Sequence, residues 1–224
     1  MDRIPCDYPM NKFHNFEDEV LKGERVSTIK DCETCKDECD LRHCLIQEPD
    51  MRGTLKNVRG DVTEPQRSIK DEIVIIPHCC NDKNIWGGGF VIALSNKWKE
   101  PEQRYRDFCK QKPLPMLGKV CYAKIDDHLA VANMVAQHDI VSKDNPIPIK
   151  YQALANCMFD VVGYIKMIEA KTGKTVVIHA PKFGSLRAKG NWDFILELIR
   201  EIWLENNINV VIYDYVEKYP NPQK

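Results

Sequence analysis

From residue 55 onward, short runs of β-branched and apolar residues alternate with longer stretches whose apolar positions recur every three or four residues. The short runs predict strands over 55–58, 73–76, 119–123, 129–137, 175–179 and 209–213. Val176-Val177-Ile178 and Val210-Val211-Ile212 are apolar without alternation, so both faces of those strands must be covered, which places them inside the sheet. Ahead of them, Tyr151, Leu154, Ala155, Met158, Val162, Ile165 and Ile168 form one stripe of a helix over 149–171 that Gly173 would stop. A last helix starts at an Asn191 cap and buries Trp192, Ile195, Leu196, Ile199, Ile202 and Trp203. Shorter helical patterns cover 90–98 and, between Pro101 and Pro113, 102–110. Strands alternating with helices predict an α/β class fold, a three-layer α/β/α sandwich on a mixed, largely parallel sheet.

Two of the strand-to-helix connections are unusual. One runs His78-Cys79-Cys80-Asn81-Asp82-Lys83-Asn84-Ile85-Trp86-Gly87-Gly88-Gly89-Phe90, and the other Pro181-Lys182-Phe183-Gly184-Ser185-Leu186-Arg187-Ala188-Lys189-Gly190-Asn191. Each follows a buried strand and opens into a helix, and glycines let an anion reach the backbone N–H groups without meeting a Cβ. Ligands of open α/β sheets bind beyond the carboxyl ends of the strands, where two such loops would grip a diphosphate from both sides.

Charge refines the division of the chain. The whole has a formal net charge of −1, which excludes a global electrostatic draw toward nucleic acid or an acidic membrane. Residues 1–54 hold 13 Asp and Glu against 8 Lys and Arg, which leaves 24 Lys and Arg against 20 Asp and Glu, a net +4, for the rest. The organisation expected is an acidic, Cys-rich N-terminal extension over 1–54, a domain over 55–217 and a tail over 218–224. The start, Met1 to Met10, lacks an apolar run of signal-peptide length, so the ten cysteines read as reduced thiols in a cytoplasmic or nuclear, not secreted, protein. No run approaches the roughly 20 apolar residues of a membrane span. In the extension, Cys32, Cys35, Cys39 and Cys44 fall within 13 residues; they can close a structural zinc site or share one side of a helix.

Gly60-Asp61-Val62-Thr63, His78-Cys79-Cys80-Asn81 with Trp86-Gly87-Gly88-Gly89, Phe183-Gly184 with Lys189-Gly190-Asn191-Trp192, and Val211-Ile212-Tyr213 resemble, in order and spacing, the macro domain, an ADP-ribose-binding module. The branch it is most similar to contains ADP-ribose-1″-phosphate phosphatases and terminal ADP-ribose glycohydrolases. The resemblance implies that Asp61, beside Val62, accepts from the adenine amino group and that Asn81 contacts the distal ribose. It implies that Gly87, Gly88, Gly89 and Phe90 wrap the phosphates, that Phe183, Gly184, Ser185, Leu186, Arg187 and Ala188 form the second phosphate loop, and that Tyr213 lies near adenine. Bland readings stand beside these: Asp61 as a turn residue, Asn81 as a turn cap, Tyr213 as a core tyrosine. It further implies a catalytic His78, at a strand end, where an imidazole titrating near neutral pH can donate a proton to a leaving ribose oxygen or help activate water.

Departures narrow the chemistry. The glycohydrolases resembled carry a nucleophilic Lys where this chain has Gln137 and an Asp where it has Ala188. An amide cannot form a Schiff base and an alanine cannot move a proton. The expected activity is therefore hydrolysis of ADP-ribose 1″-phosphate with no catalytic cofactor; the alternatives are a non-catalytic ADP-ribose reader and removal of ADP-ribose from a macromolecule. The partner expected is a small nucleotide, with nucleic acid entering only as an ADP-ribosylated substrate, and the oligomeric state stays open.

Overall fold

The computed structural model describes residues 52–69, 71–111 and 115–215. The quartet Cys32, Cys35, Cys39 and Cys44, like the tail 218–224, lies outside the described residues. The elements in order are β1 (Leu55–Arg59), β2 (Ile73–Asn81), α1 (Phe90–Lys97), α2 (Glu100–Lys110), β3 (Val120–Asp126), β4 (Leu129–Gln137), α3 (Tyr151–Thr172), β5 (Val176–Pro181), α4 (Trp192–Leu198), continued by a wider π turn over Ile199–Leu204, and β6 (Asn209–Asp214). No helix among the described residues is long and apolar enough to cross a membrane.

One six-stranded sheet has the order β1-β6-β5-β2-β4-β3; every neighbouring pair is parallel except β3 with β4. The sheet is thus mixed and largely parallel, and the two unbroken apolar strands, β5 and β6, are interior. Successive side chains of a strand point to opposite faces, and the core divides accordingly. Ile73 and Ile75, Met134, Ile178 and Ile212 pack under α3, Ile195, Ile199 and Trp203. Val74 and Ile76, Val131, Val177 and Val211 pack under Leu94, Phe90 and Trp98. These are the two outer layers of the sandwich.

The helix ends obey local rules. Asn191 accepts from the amides of Asp193 and Phe194 at 2.9 and 3.4 Å, and Gly173 closes α3 at φ 67°. Several boundaries differ from expectation, β3 by running on to Asp126 and β5 to Pro181, and four others have a physical reason or a consequence for the site. Ile149 bridges to Gln137 as extended chain, so α3 begins at Tyr151. Glu100 and Pro101 belong to the first turn of α2, where proline needs no N–H partner. The last helix widens into its π turn at Ile199. The fourth difference matters most: β2 does not stop near Ile76 but runs through His78, Cys79 and Cys80 to Asn81. Its polar positions are tolerated inside the sheet because His78 is paired in register with Asn133 of β4.

Candidate functional site

Parallel strands send their carboxyl ends to one rim, and five connections meet there: those after β1, β2, β4, β5 and β6. They enclose a cleft of about 1020 Å³ lined by both glycine-bearing loops together with Asp61, Val62, Gln137, Ile140, Val141, Tyr213 and Tyr215. That volume lies at the upper end of the ~300–1,000 Å³ typical of small-molecule sites.

The first wall is built by Asn81. Its Oδ1 accepts from the amides of Lys83 and Ile85 at 2.9 and 3.0 Å, and its Nδ2 donates to the Ile85 carbonyl at 2.6 Å. The Tyr105 hydroxyl reaches both the Asn81 carbonyl at 2.7 Å and its Oδ1 at 3.0 Å. The geometry shows the turn cap, and the second N–H of Nδ2 is left for a ligand in the cleft that Asn81 lines, so both readings of Asn81 are compatible. Trp86 is pinned next, its indole N–H donating to Ser95, which donates to Glu102. Gly87 then faces open space, and Gly89 takes φ 78° as it enters α1. Among the described residues, the amides of Gly87, Gly88 and Gly89 have no acceptor.

The second wall is the loop after β5. Phe183 is buried among Trp192 and Trp203, so its ring anchors the loop while its backbone lines the cleft. Gly184 has φ 73°, and its carbonyl accepts from Gly190 at 2.9 Å, which closes the loop's base. Ala188 is buried and its carbonyl holds the Ile149 amide at 3.1 Å. Ser185 donates to the Lys182 carbonyl, and Leu186 is 80 % exposed at the rim. The amides of Ser185, Leu186 and Arg187 have no acceptor among the described residues. Ser185 does not line the cleft, whereas Leu186 and Arg187 do, so unpaired N–H donors of both loops flank one cleft, as an anion requires.

The far end is set by β1 and β6. Asp61 Oδ1 accepts from the amide and hydroxyl of Thr63 at 2.9 and 2.8 Å, which leaves its second oxygen for a ligand donor. Both readings of Asp61 are therefore compatible. Tyr213 is buried, with its ring 3.7 Å from a Cβ placed on Gly60, and its hydroxyl accepts from the Gln66 amide at 2.8 Å and meets His179 Nδ1 at 2.9 Å. Tyr215, 70 % exposed on the same rim, escaped the sequence analysis, although two-residue periodicity from Tyr213 puts it on that face. Ile140 and Val141 were missed for want of any pattern.

His78 requires a correction. It sits inside β2 rather than at its end, only 2 % exposed beneath the rings of Trp86 and Phe90. Asn133 Nδ2 donates to the Pro101 carbonyl, so its Oδ1 is the acceptor and the His78 Nε2–H, 2.6 Å away, is the donor. Burial drives the imidazole pKa down to about 4, against the opposing hydrogen bonds of Asn133 and the Cys79 backbone. At neutral pH this histidine is uncharged with its proton committed, which does not suit a general acid. Cys79 and Cys80 also line the cleft, but burial first, and neighbouring thiols second, push both upward, so neither is an activated nucleophile. Among the described residues no cluster of His, Cys, Asp and Glu can hold a metal ion.

No family model matches this chain. A solved structure of a macrodomain protein from Streptomyces coelicolor superposes with a TM-score of 0.60 at 30% identity, covering 73% of this chain and 100% of that one. A mouse protein, chromodomain-helicase-DNA-binding protein 1-like, is 31% identical over 169 residues, 71% of this chain but only 18% of its own length. The chain therefore spans less than a fifth of that curated relative. An ADP-ribose 1″-phosphate phosphatase from Lodderomyces elongisporus is 31% identical over 75 residues, 34% of this chain and 46% of its own.

Proposed function

Since this chain belongs to the macrodomain family, we propose that its cleft binds ADP-ribose, with the diphosphate between the two glycine-bearing loops and the adenine toward Asp61. One observation carries the reading: five residues whose backbone amides have no acceptor among the described residues, Gly87, Gly88 and Gly89 of the first loop and Leu186 and Arg187 of the second, line a cleft of nucleotide size. Calorimetry should register ADP-ribose binding. Millimolar ADP-ribose giving neither heat nor a rise in melting temperature would sink the proposal.

Asp61→Ala should weaken ADP-ribose by about 10- to 100-fold, from the roughly 1.5–3 kcal/mol of a hydrogen bond to a charged group. The loss should shrink when hypoxanthine, which lacks the amino donor, replaces adenine. Equal losses for both bases would assign Asp61 to the Thr63 turn alone.

A second reading, hydrolysis of ADP-ribose 1″-phosphate, is favoured by the match to the yeast phosphatase. Backbone amides of Gly87–Gly89 would hold the charge developing on the transferred phosphoryl group, and His78 would position Trp86 and Phe90 beneath it. On this reading wild type releases phosphate from ADP-ribose 1″-phosphate, and His78→Ala abolishes the release. No release by either protein leaves binding as the function.

A further inference from the structure

We propose that Arg187 is a cationic strap across the cleft, reaching from the second loop onto the first and pairing with the diphosphate of the ligand. The inference rests on the ADP-ribose reading and goes beyond it by assigning a side chain, rather than backbone, to the phosphates.

The geometry comes from the glycines. A Cβ on Gly88 would stand 2.6 Å from Arg187 Nη1 and 3.0 Å from Cζ; one on Gly89 would stand 2.9 Å from Cδ and 3.1 Å from Nε. The arginine therefore lies along the backbone of the first loop, and two consecutive residues without side chains make room for it. Gly87, one position earlier, has nothing within 4 Å of such a Cβ and stays open to the cleft.

The charges of the cleft point the same way. Its charged lining residues are Asp61, Lys182, Asp214 and Arg187. Lys182 is held by Asp214 at 2.5 Å, and Asp61 lies at the far end, bound to Thr63. Arg187 has neither an ion pair nor a hydrogen bond among the described residues, and it lies where amides lacking acceptors crowd in from both loops. A guanidinium next to uncompensated N–H dipoles is repelled by them until an anion arrives, and its planar fork matches phosphate oxygens. In the free protein the strap rests on Gly88 and Gly89; with ligand bound it closes over the diphosphate.

The test is ADP-ribose affinity at low and at high salt for wild type, Arg187→Ala, Arg187→Lys, Gly88→Ala and the Gly88→Ala/Arg187→Ala double variant. Arg187→Ala should weaken binding about tenfold at low salt, and the gap should narrow as salt screens the exposed pair. Arg187→Lys should recover part of the affinity and keep the salt dependence. Gly88→Ala, whose methyl group displaces the flexible tip of the arginine, should cost affinity with Arg187 present and distinctly less once it is truncated. Unchanged affinity in Arg187→Ala, a loss indifferent to salt and not recovered by lysine, or additive effects in the double variant would each overturn the strap while leaving ADP-ribose binding intact. If wild type itself fails to bind, the ADP-ribose reading falls and the strap with it.

Discussion

Taking the pH from 7 to 4 should remove about 5 kcal/mol of folding free energy, with the steepest part near pH 5 at about 2 kcal/mol per pH unit. The loss originates in two histidines held neutral inside the sheet. His78 is driven down to about 4 by burial. His179 is driven to about 4 as well, by burial first and the Arg67 charge second. Glu72 lies 3.7 Å from His179 Nε2, too far for a hydrogen bond, and its oxygens serve the amides of Ser68 and Ile69. Both folded-state values lie below the usual 6.5, so between about 4 and 6.5 the unfolded chain binds more protons and stability falls with pH. The contribution is full above 6.5 and gone below 4. Asp82 acts lower still: burial raises its carboxyl, but the Asp139 amide and His138 outweigh that and depress it, so its contribution disappears only below the ordinary carboxylate range.

Urea unfolding at pH 7, 6 and 5 measures the slope, and His78→Gln and His179→Gln should each remove about half of it. Imidazole resonances of the folded protein give an independent check, since two of its six histidines should stay neutral down to pH 5. A flat stability profile across that window, or six histidines titrating near 6.5, would refute the assignment. A domain with a total stability of about 5–15 kcal/mol has little to spare against such a loss.

The same burial explains which parts of the site could be read from the chain. Strand β4 matched its expected limits, 129–137, and the interior places of β5 and β6 followed from unbroken apolar runs, because burial on both faces leaves a local mark. The two loops were legible because glycine placed between a buried strand and a helix is a local signal too. His78 was misread because its partner, Asn133, is 55 residues away, and only the pairing of β2 with β4 reveals a polar side chain with its needs met. Arg187 was read through its backbone alone: nothing in the sequence shows that its side chain crosses to Gly88 and Gly89, a contact of the same long-range kind. Ile140 and Val141 reach the cleft through an irregular connection that has no period to read.

Asn81→Ala should cost about 2–4 kcal/mol and lower the melting temperature by about 10 °C, the largest single-residue effect expected at the site. The side chain is buried and satisfies four polar partners at once: two amides, one carbonyl and one hydroxyl. Truncation leaves the Lys83 and Ile85 amides without their acceptor, while Tyr105 keeps its bond to the Asn81 carbonyl. Those two amides fix the path from the bulge at Cys80 and Asn81 through Asn84, held at φ 57°, to Trp86. With that path released, Gly87–Gly89 no longer present their amides in a set direction, so ADP-ribose affinity should fall at least about tenfold. Asn81→Asp separates the two halves of the role. It keeps the acceptor for both amides but sets a carboxylate oxygen against the Ile85 carbonyl in place of the donor now 2.6 Å away. Its stability should fall between wild type and Asn81→Ala at pH 7, and its deficit relative to wild type at the same pH should shrink as acid protonates the carboxylate and restores a donor, on top of the histidine losses that both proteins share. Should Asn81→Ala melt and bind ADP-ribose as wild type does, the loop is held in place by something other than this side chain.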